Sequence, residues 1–168
     1  MATKRLYRSK LKNIKVLLLD VDGVLTDGGV YYTDAGVEEK KFHVQDGQGI
    51  TKLQHLGITV GIITGRHSKI VQRRAAELGV REVYQNRADK LDAYGDVKRR
   101  LKVEDAEVAY IGDDDPDLPV LQRVGFSAAP ADAVDAVRRA VDYVCRKNGG
   151  GGAVREVIEL LLAARQMK

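Results

Sequence analysis

No apolar run in this 168-residue chain approaches the ~20 residues that a membrane-crossing helix needs. Nothing in it is therefore expected to span a membrane. An apolar segment behind the N-terminus is missing too, so no secretory signal is expected. There is a single cysteine, Cys145, and so no intrachain disulfide is possible. It lies in Asp142-Tyr143-Val144-Cys145, a short strand-like run, and reads as a small buried apolar residue rather than a nucleophile. These absences make the cytoplasm the expected compartment. Basic patches interleaved with aromatics are also lacking, although the formal net charge is +4. Residues 1–15 hold Lys4, Arg5, Arg8, Lys10, Lys12 and Lys15 and no acid; these six of the 28 basic residues leave 22 against 24 acids, a net of −2. The basicity is thus local, and no nucleic-acid partner is expected. Residues 1–14 read as a solvated or loosely packed basic leader, and 15–168 as one domain with a substantial core.

The most informative stretch is Val16-Leu17-Leu18-Leu19-Asp20-Val21-Asp22-Gly23. An apolar run of strand length delivers two aspartates, one residue apart, to its C-terminal end. In an open α/β sheet that end is where ligands bind. Carboxylates held so close repel each other unless a cation neutralises them or one stays protonated, which points to metal-assisted chemistry on an anion, most simply a phosphate. A calcium loop is the rival reading of this string. That loop needs a preceding helix, further oxygen ligands and a distal Glu, whereas here a strand precedes it and Val24 and Leu25 follow.

Three later segments carry compatible chemistry. Val60-Gly61-Ile62-Ile63-Thr64-Gly65-Arg66 is a second apolar run, ending in a hydroxyl and a glycine. Lys90 opens an amphipathic stretch with Leu91, Tyr94, Val97 and Leu101 at near-helical spacing. Val108-Ala109-Tyr110-Ile111-Gly112-Asp113-Asp114-Asp115-Pro116-Asp117 is a third strand ending in carboxylates. Taken singly these read as a capping Thr, a solvated Lys and an acidic loop; their joint order is harder to obtain by chance.

Around them, two β-prone runs flank Thr33-Asp34-Ala35-Gly36 and predict a hairpin over about 29–44. A short helix is expected from Gln48 to Leu56. Strand–helix units follow at 59–64/68–78, 82–84/90–101 and 108–111/117–123, then a strand near 126–129 and helices near 132–140 and 153–165. Such alternation predicts an α/β fold, a doubly wound, Rossmann-like parallel sheet with helices on both faces.

The order Asp-x-Asp, Thr, Lys, Gly-Asp-Asp resembles the haloacid dehalogenase superfamily of phosphotransferases over nearly the whole chain. The resemblance implies that Asp20 is the nucleophile and Asp22 the acid/base, that Thr64 and Lys90 bind the phosphoryl group, and that Asp113 with Asp114 completes a magnesium site. The implied metal ligands are Asp20, the Asp22 backbone carbonyl and Asp113. The residue types suit that chemistry, since a carboxylate is already ionised at neutral pH and needs no adjacent base to attack phosphorus. Relatives often carry a cap domain after the first motif or after the Thr motif. Between Asp22 and Thr64 there is room only for the hairpin and one helix, and between Thr64 and Lys90 only for one strand–helix unit, so no cap domain fits. Hairpins from several subunits could cover neighbouring sites instead, which favours a homo-oligomer.

More closely, Asp20-Val21-Asp22-Gly23-Val24-Leu25-Thr26-Asp27-Gly28, His43-Val44-Gln45-Asp46-Gly47, Thr64-Gly65-Arg66, Tyr84-Gln85 and Gly149-Gly150-Gly151-Gly152-Ala153-Val154-Arg155-Glu156 resemble the uncapped, tetrameric branch that hydrolyses 3-deoxy-D-manno-octulosonate 8-phosphate in lipopolysaccharide precursor synthesis. That implies substrate contacts at Asp22, His43, Val44, Gln45, Asp46, Gly47, Thr51, Arg66, Arg74 and Lys90, and a C-terminal tail, about 148–168, that reaches into a neighbouring site. A substrate with a carboxylate as well as a phosphate gives two extra arginines a purpose; for Arg74 the alternative is a solvated helix face beside Arg73. On composition alone the glycine run 149–152 reads as a flexible linker, and it lacks the Arg that relatives often place there. Two other readings stay open: a phosphatase of a nine-carbon keto-deoxy sugar acid, disfavoured by Arg66, and a non-catalytic oligomerisation module, disfavoured by the full set of acids. A phospho-accepting receiver domain fits poorly, because its phospho-acceptor would follow a middle strand that here ends in Thr64.

Overall fold

A computed structural model describes residues 7–166 of the chain. Six parallel strands form the central sheet: β1 (Val16–Leu19), β4 (Thr59–Ile63), β5 (Glu82–Tyr84), β6 (Val108–Ile111), β7 (Phe126–Ala129) and β8 (Tyr143–Val144). Their spatial order is β5-β4-β1-β6-β7-β8. A second, two-stranded antiparallel sheet pairs β2 (Tyr31–Tyr32) with β3 (Glu38–Glu39), Tyr31 opposite Glu39 and Tyr32 opposite Glu38. This is the expected hairpin, and neither it nor the single helix beyond it amounts to a cap domain.

Side-chain alternation along the strands builds two cores. Leu17, Leu19, Val60, Ile62, Ala109, Ile111, Phe126 and Ala128 face one side. There they meet α1 (Arg8–Asn13), α2 (Val44–His55), α3 (Lys69–Glu77) and α7 (Ala153–Gln166). Val16, Leu18, Ile63, Val108 and Tyr110 face the other, against α4 (Lys90–Leu101), α5 (Leu118–Leu121) and α6 (Asp135–Ala140). Burial on both faces is why β1 reads as an unbroken apolar run rather than an alternating one.

Two local expectations change. Residues 8–14 are not a loosely packed leader: α1 buries Leu11, and Ile14 is wholly inside the core. Their apolar contacts against α7 outweigh the solvation of the basic residues around them, so the domain begins before residue 15; residues 1–6 lie outside the described part. Helix α2 begins at Val44, not Gln48. Gly47 lies inside it without breaking it, and leaves room for the Arg74 guanidinium, whose Nη2 would stand 2.4 Å from a Cβ there. The helix expected near 153–165 is α7, which packs with seven buried residues onto the domain; residues 167–168 are outside the described part.

Candidate active site

Strand order reverses beside β1: the chain moves outward through β4 and β5, then returns to place β6 on the other flank of β1. A crevice opens at the carboxyl ends of strands at such a switch point. Leu19 lies opposite Ile62 on one side and Ile111 on the other, so Asp20, Thr64 and the Gly112-Asp113 corner all leave the sheet at one edge. Asp20 N–H donates to the Ile111 carbonyl at 3.0 Å, which fixes the corner.

Asp20, Asp113 and Asp117 each direct a carboxylate oxygen into one space, all within 4.8 Å of one another. One cation stands among them. Lys90, the first residue of α4, is 5% exposed, and its Nζ lies 2.8 Å from Asp20 Oδ2 and 2.7 Å from Asp117 Oδ1. Asp89 caps that helix by accepting from the Leu91 and Asp92 amides, which orients Lys90 inward. Asp117 is completely buried; it accepts from the Tyr110 hydroxyl at 2.5 Å and from the Asp113 and Asp114 amides at 3.0 and 3.2 Å.

The electrostatic consequences follow from this crowding. Burial, then the Asp117 charge, pushes Asp20 up to about 6 despite Lys90. Burial, then Asp20 and Asp117, pushes Asp113 up to about 8. Burial works against the Lys90 ammonium, but Asp20 and Asp117 outweigh it and hold its pKa above the ordinary value. One positive charge is therefore too little for three carboxylates. Asp113 Oδ1 is buried and accepts no hydrogen bond among the described residues. A hard divalent cation bound between Asp20 and Asp113 would satisfy both deficits. Gly23 makes the space possible, because a Cβ there would stand 2.0 Å from Asp113 Oδ2.

The remaining sequence-derived residues divide into those near the carboxylates and those turned elsewhere. Thr64 is buried at the end of β4. Asp22 is not one of the trio; its Oδ1 accepts from Lys40 Nζ at 2.5 Å. Arg66 Nη2 donates to Glu38 Oε1 of the hairpin at 3.0 Å and to Tyr32 Oη at 3.4 Å. Arg74 is not on a free helix face: its guanidinium lies over the Phe42 ring at 5.8 Å and pairs with Glu77 at 3.2 Å. It thereby sits over the start of α2. His43 precedes that helix, and its Nδ1 is buried without a partner among the described residues. Val44 is 80% exposed.

Asp46 and Thr51 are engaged within the fold. Asp46 Oδ1 accepts from the Arg155 amide at 2.7 Å, bracing the start of α7, and burial raises its pKa. Arg155 Nη1 reaches the Gln45 carbonyl at 3.4 Å. The Thr51 hydroxyl donates to the Gly47 carbonyl one turn earlier at 3.2 Å. Asp114, expected beside Asp113 at a metal, instead caps the turn 115–117, its side chain accepting from the Asp115 amide. The third carboxylate is Asp117. The glycine run is no flexible linker: a Cβ on Gly149 would stand 1.9 Å from the Gly23 carbonyl oxygen, and the Gly150 amide donates to the Val24 carbonyl at 3.0 Å. The run presses backbone on backbone against the loop that carries Asp22.

The sequence profile of haloacid dehalogenase-like hydrolases matches residues 75–158. The 3-deoxy-D-manno-octulosonate 8-phosphate phosphatase KdsC of Escherichia coli strain K12 is 48% identical over 157 residues, covering 94% of this chain and 84% of that one. This chain belongs to the haloacid dehalogenase-like hydrolases. Solved members of the family share its shape. A crystal structure of the 3-deoxy-D-manno-octulosonate 8-phosphate phosphatase from Moraxella catarrhalis, in complex with magnesium, phosphate and KDO, superposes with a TM-score of 0.93 at 44% identity, covering 95% of this chain and 92% of that one. The cobalt-bound deoxy-D-mannose-octulosonate 8-phosphate phosphatase of Haemophilus influenzae gives 0.90 at 43% identity, covering 94% and 92%.

Proposed function

We propose that this hydrolase is a magnesium-dependent phosphatase that cleaves 3-deoxy-D-manno-octulosonate 8-phosphate to the free sugar acid and phosphate. The observation that carries the reading is the trio Asp20, Asp113 and Asp117, the first and last of them buried, short of positive charge, with Lys90 against Asp20 at the switch point. Similarity to phosphatases of that substrate over 94% of the chain supports the choice of substrate.

The residues divide the work. An Asp20 carboxylate oxygen forms a bond to phosphorus while the ester P–O bond breaks, and its electron pair leaves on the sugar oxygen. Asp22 gives that oxygen a proton. Asp22 then takes a proton from the water that attacks the aspartyl-phosphate, and Asp20 returns as a carboxylate as inorganic phosphate departs. Lys90 and Thr64 hold the phosphoryl oxygens. Asp20 and Asp113 would hold the cation, with the Asp22 carbonyl as a further ligand; when bound, it offsets charge on the phosphoryl oxygens and on Asp20. Phosphate release from a panel of phosphorylated eight- and nine-carbon keto-deoxy acids and common sugar phosphates tests the reading. The eight-carbon ester should be the best substrate, and preference for an unrelated sugar phosphate would sink it.

Metal binding has a pH signature. Without metal, Asp20 and Asp113 titrate in the folded state at about 6 and about 8, against 3.8 for an ordinary Asp. The metal-free fold thus retains protons that the unfolded chain has released. Its stability contribution from these groups is complete below about pH 4 and is lost as pH rises toward 8. Bound magnesium requires both groups ionised, so it displaces protons, and its affinity should strengthen as pH rises from about 6 to 8, by about tenfold per unit where one proton is displaced. Melting curves with and without magnesium at pH 6 and pH 8 should show the larger magnesium shift at pH 8; an equal or smaller one counts against the site.

Arg66 is assigned to the sugar-acid carboxylate. Glu38 occupies one edge of its guanidinium, and the group has five donors. A bidentate carboxylate contact is worth ~1.5–3 kcal/mol, about ten- to a hundredfold in efficiency. Arg66→Ala should lower kcat/KM by that factor on the eight-carbon ester and much less on p-nitrophenyl phosphate. Equal losses would mean that Arg66 serves the phosphate or the fold.

The protein is assigned as a cytoplasmic homotetramer with hairpins paired between subunits. The hairpin supports this by exposing Val30, Tyr31, Tyr32 and Val37, an apolar surface on an element too small to be stable alone. Replacing residues 30–39 with a short Gly-Ser link should yield monomers in light scattering and lower activity at least tenfold. A monomer with full activity would refute the arrangement.

A further inference from the structure

Lys40 is the unusual cation of this molecule. It lies in the polar run Glu38-Glu39-Lys40-Lys41, which reads as a solvated strand end, yet its side chain is only 2% exposed. Its Nζ donates to Asp22 Oδ1 at 2.5 Å and lies 3.5 Å from Glu38 Oε1. Glu38 is itself fixed from the opposite side: Ser68 Oγ donates to its Oε2 at 2.8 Å, and Arg66 Nη2 to its Oε1 at 3.0 Å. Ser68 immediately precedes helix α3, and its amide donates to the Gln85 side chain at 2.8 Å. A continuous polar chain thus runs from the body of the domain through the hairpin to the Asp22 carboxylate.

The loop carrying Asp22 needs such a brace. Asp22 stands past the end of β1, and its own side chain is about a quarter exposed, at 23%. A short carboxylate in that position has several staggered orientations open to it. Lys40 grips one oxygen and leaves the other free to exchange a proton. We infer that Lys40, held by Glu38, is a positioning residue that aims the Asp22 carboxylate at the departing oxygen. The hairpin thereby contributes to the chemical step within its own subunit, apart from any role in covering a neighbouring site. The inference rests on the reading of Asp22 as the proton donor, and the test separates the two.

Proton donation matters more as the leaving group becomes more basic, and phenyl phosphate and p-nitrophenyl phosphate differ in that respect with little change of shape. kcat/KM reports every step up to departure of the alcohol. Positioning losses of this kind reach about a hundredfold. Lys40→Met should lower kcat/KM on the eight-carbon ester by about that factor, and on phenyl phosphate about tenfold more than on p-nitrophenyl phosphate. Glu38→Gln, which keeps shape and hydrogen bonding, should show the same bias more weakly, and keeps the test decisive if Lys40→Met does not fold. Asp22→Asn is the benchmark. If it shows the leaving-group bias and the Lys40 and Glu38 variants lose equally on both aryl esters, the positioning role is overturned. If Asp22→Asn itself shows no bias, the assignment of Asp22 as proton donor falls first. A loss in Lys40→Met that appears only in KM would make Lys40 a phosphate contact instead.

Discussion

Asp20→Asn should abolish phosphate release, by ~10³-fold or more, while leaving the fold intact. The amide cannot attack phosphorus, and the other carboxylate past β1, Asp22, is held by Lys40 rather than set among the trio. Stability moves the other way. Burial and Asp117 push Asp20 up to about 6, so above that pH its charge is carried at a cost in the metal-free protein. Removing the charge relieves Asp113 and Asp117, and Lys90 keeps its contact with Asp117 at 2.7 Å. The melting temperature of metal-free Asp20→Asn at pH 8 should therefore match or exceed that of the wild type, and its magnesium shift should shrink. Activity within about tenfold of wild type would overturn the choice of nucleophile. A variant that is inactive because it is unfolded would overturn the electrostatic account.

The sheet was legible because its central strands are buried on both faces. Val16–Leu19 and Val108–Ile111 could be read from apolar length alone, and the carboxylates at their ends mark the crevice. The third carboxylate was not legible. Asp114, Asp115 and Asp117 share one loop, and spacing treats them alike. The turn Asp115–Asp117, with Pro116 inside it, bends the Asp117 side chain back onto the Asp113 and Asp114 amides and toward Lys90. Only that turn selects it.

The same limit applies to Lys40, whose side chain meets Asp22 from outside its own segment as well as Glu38 within it. Helix α1 is a different case. Tyr7, Leu11 and Ile14 stand at helical spacing, and that signal was available beneath the basic residues. The glycine run misled. On composition Gly149–Gly152 reads as a linker, but at Gly149 and Gly150 the backbone of another segment comes too close for a side chain.

Lys90→Met tests the charge balance on which the site depends. The substitution keeps much of the side-chain volume and removes the one cation that contacts Asp20 and Asp117 among the described residues. Losing one partner of a buried ion pair costs ~3–5 kcal/mol, because the remaining charge is left uncompensated. The cost must depend on pH. Near pH 4 the carboxylates raised by burial are protonated and do not need Lys90. As pH rises through about 6 and then about 8, Asp20 and Asp113 ionise beside Asp117, which no longer has Lys90 as a partner. Urea unfolding of the metal-free proteins should thus show a gap between wild type and Lys90→Met that is small at pH 4 and widens toward pH 8, and magnesium should recover part of it. On activity, the loss of a cation from the phosphoryl-binding edge should cost ~10²–10³-fold in kcat/KM at saturating magnesium. Lys90→Gln, which can still donate a hydrogen bond to Asp20, should lose less than Lys90→Met in both assays. A gap that does not change with pH would show that Lys90 is held for packing rather than for charge, and activity within threefold of wild type would remove it from the phosphate site.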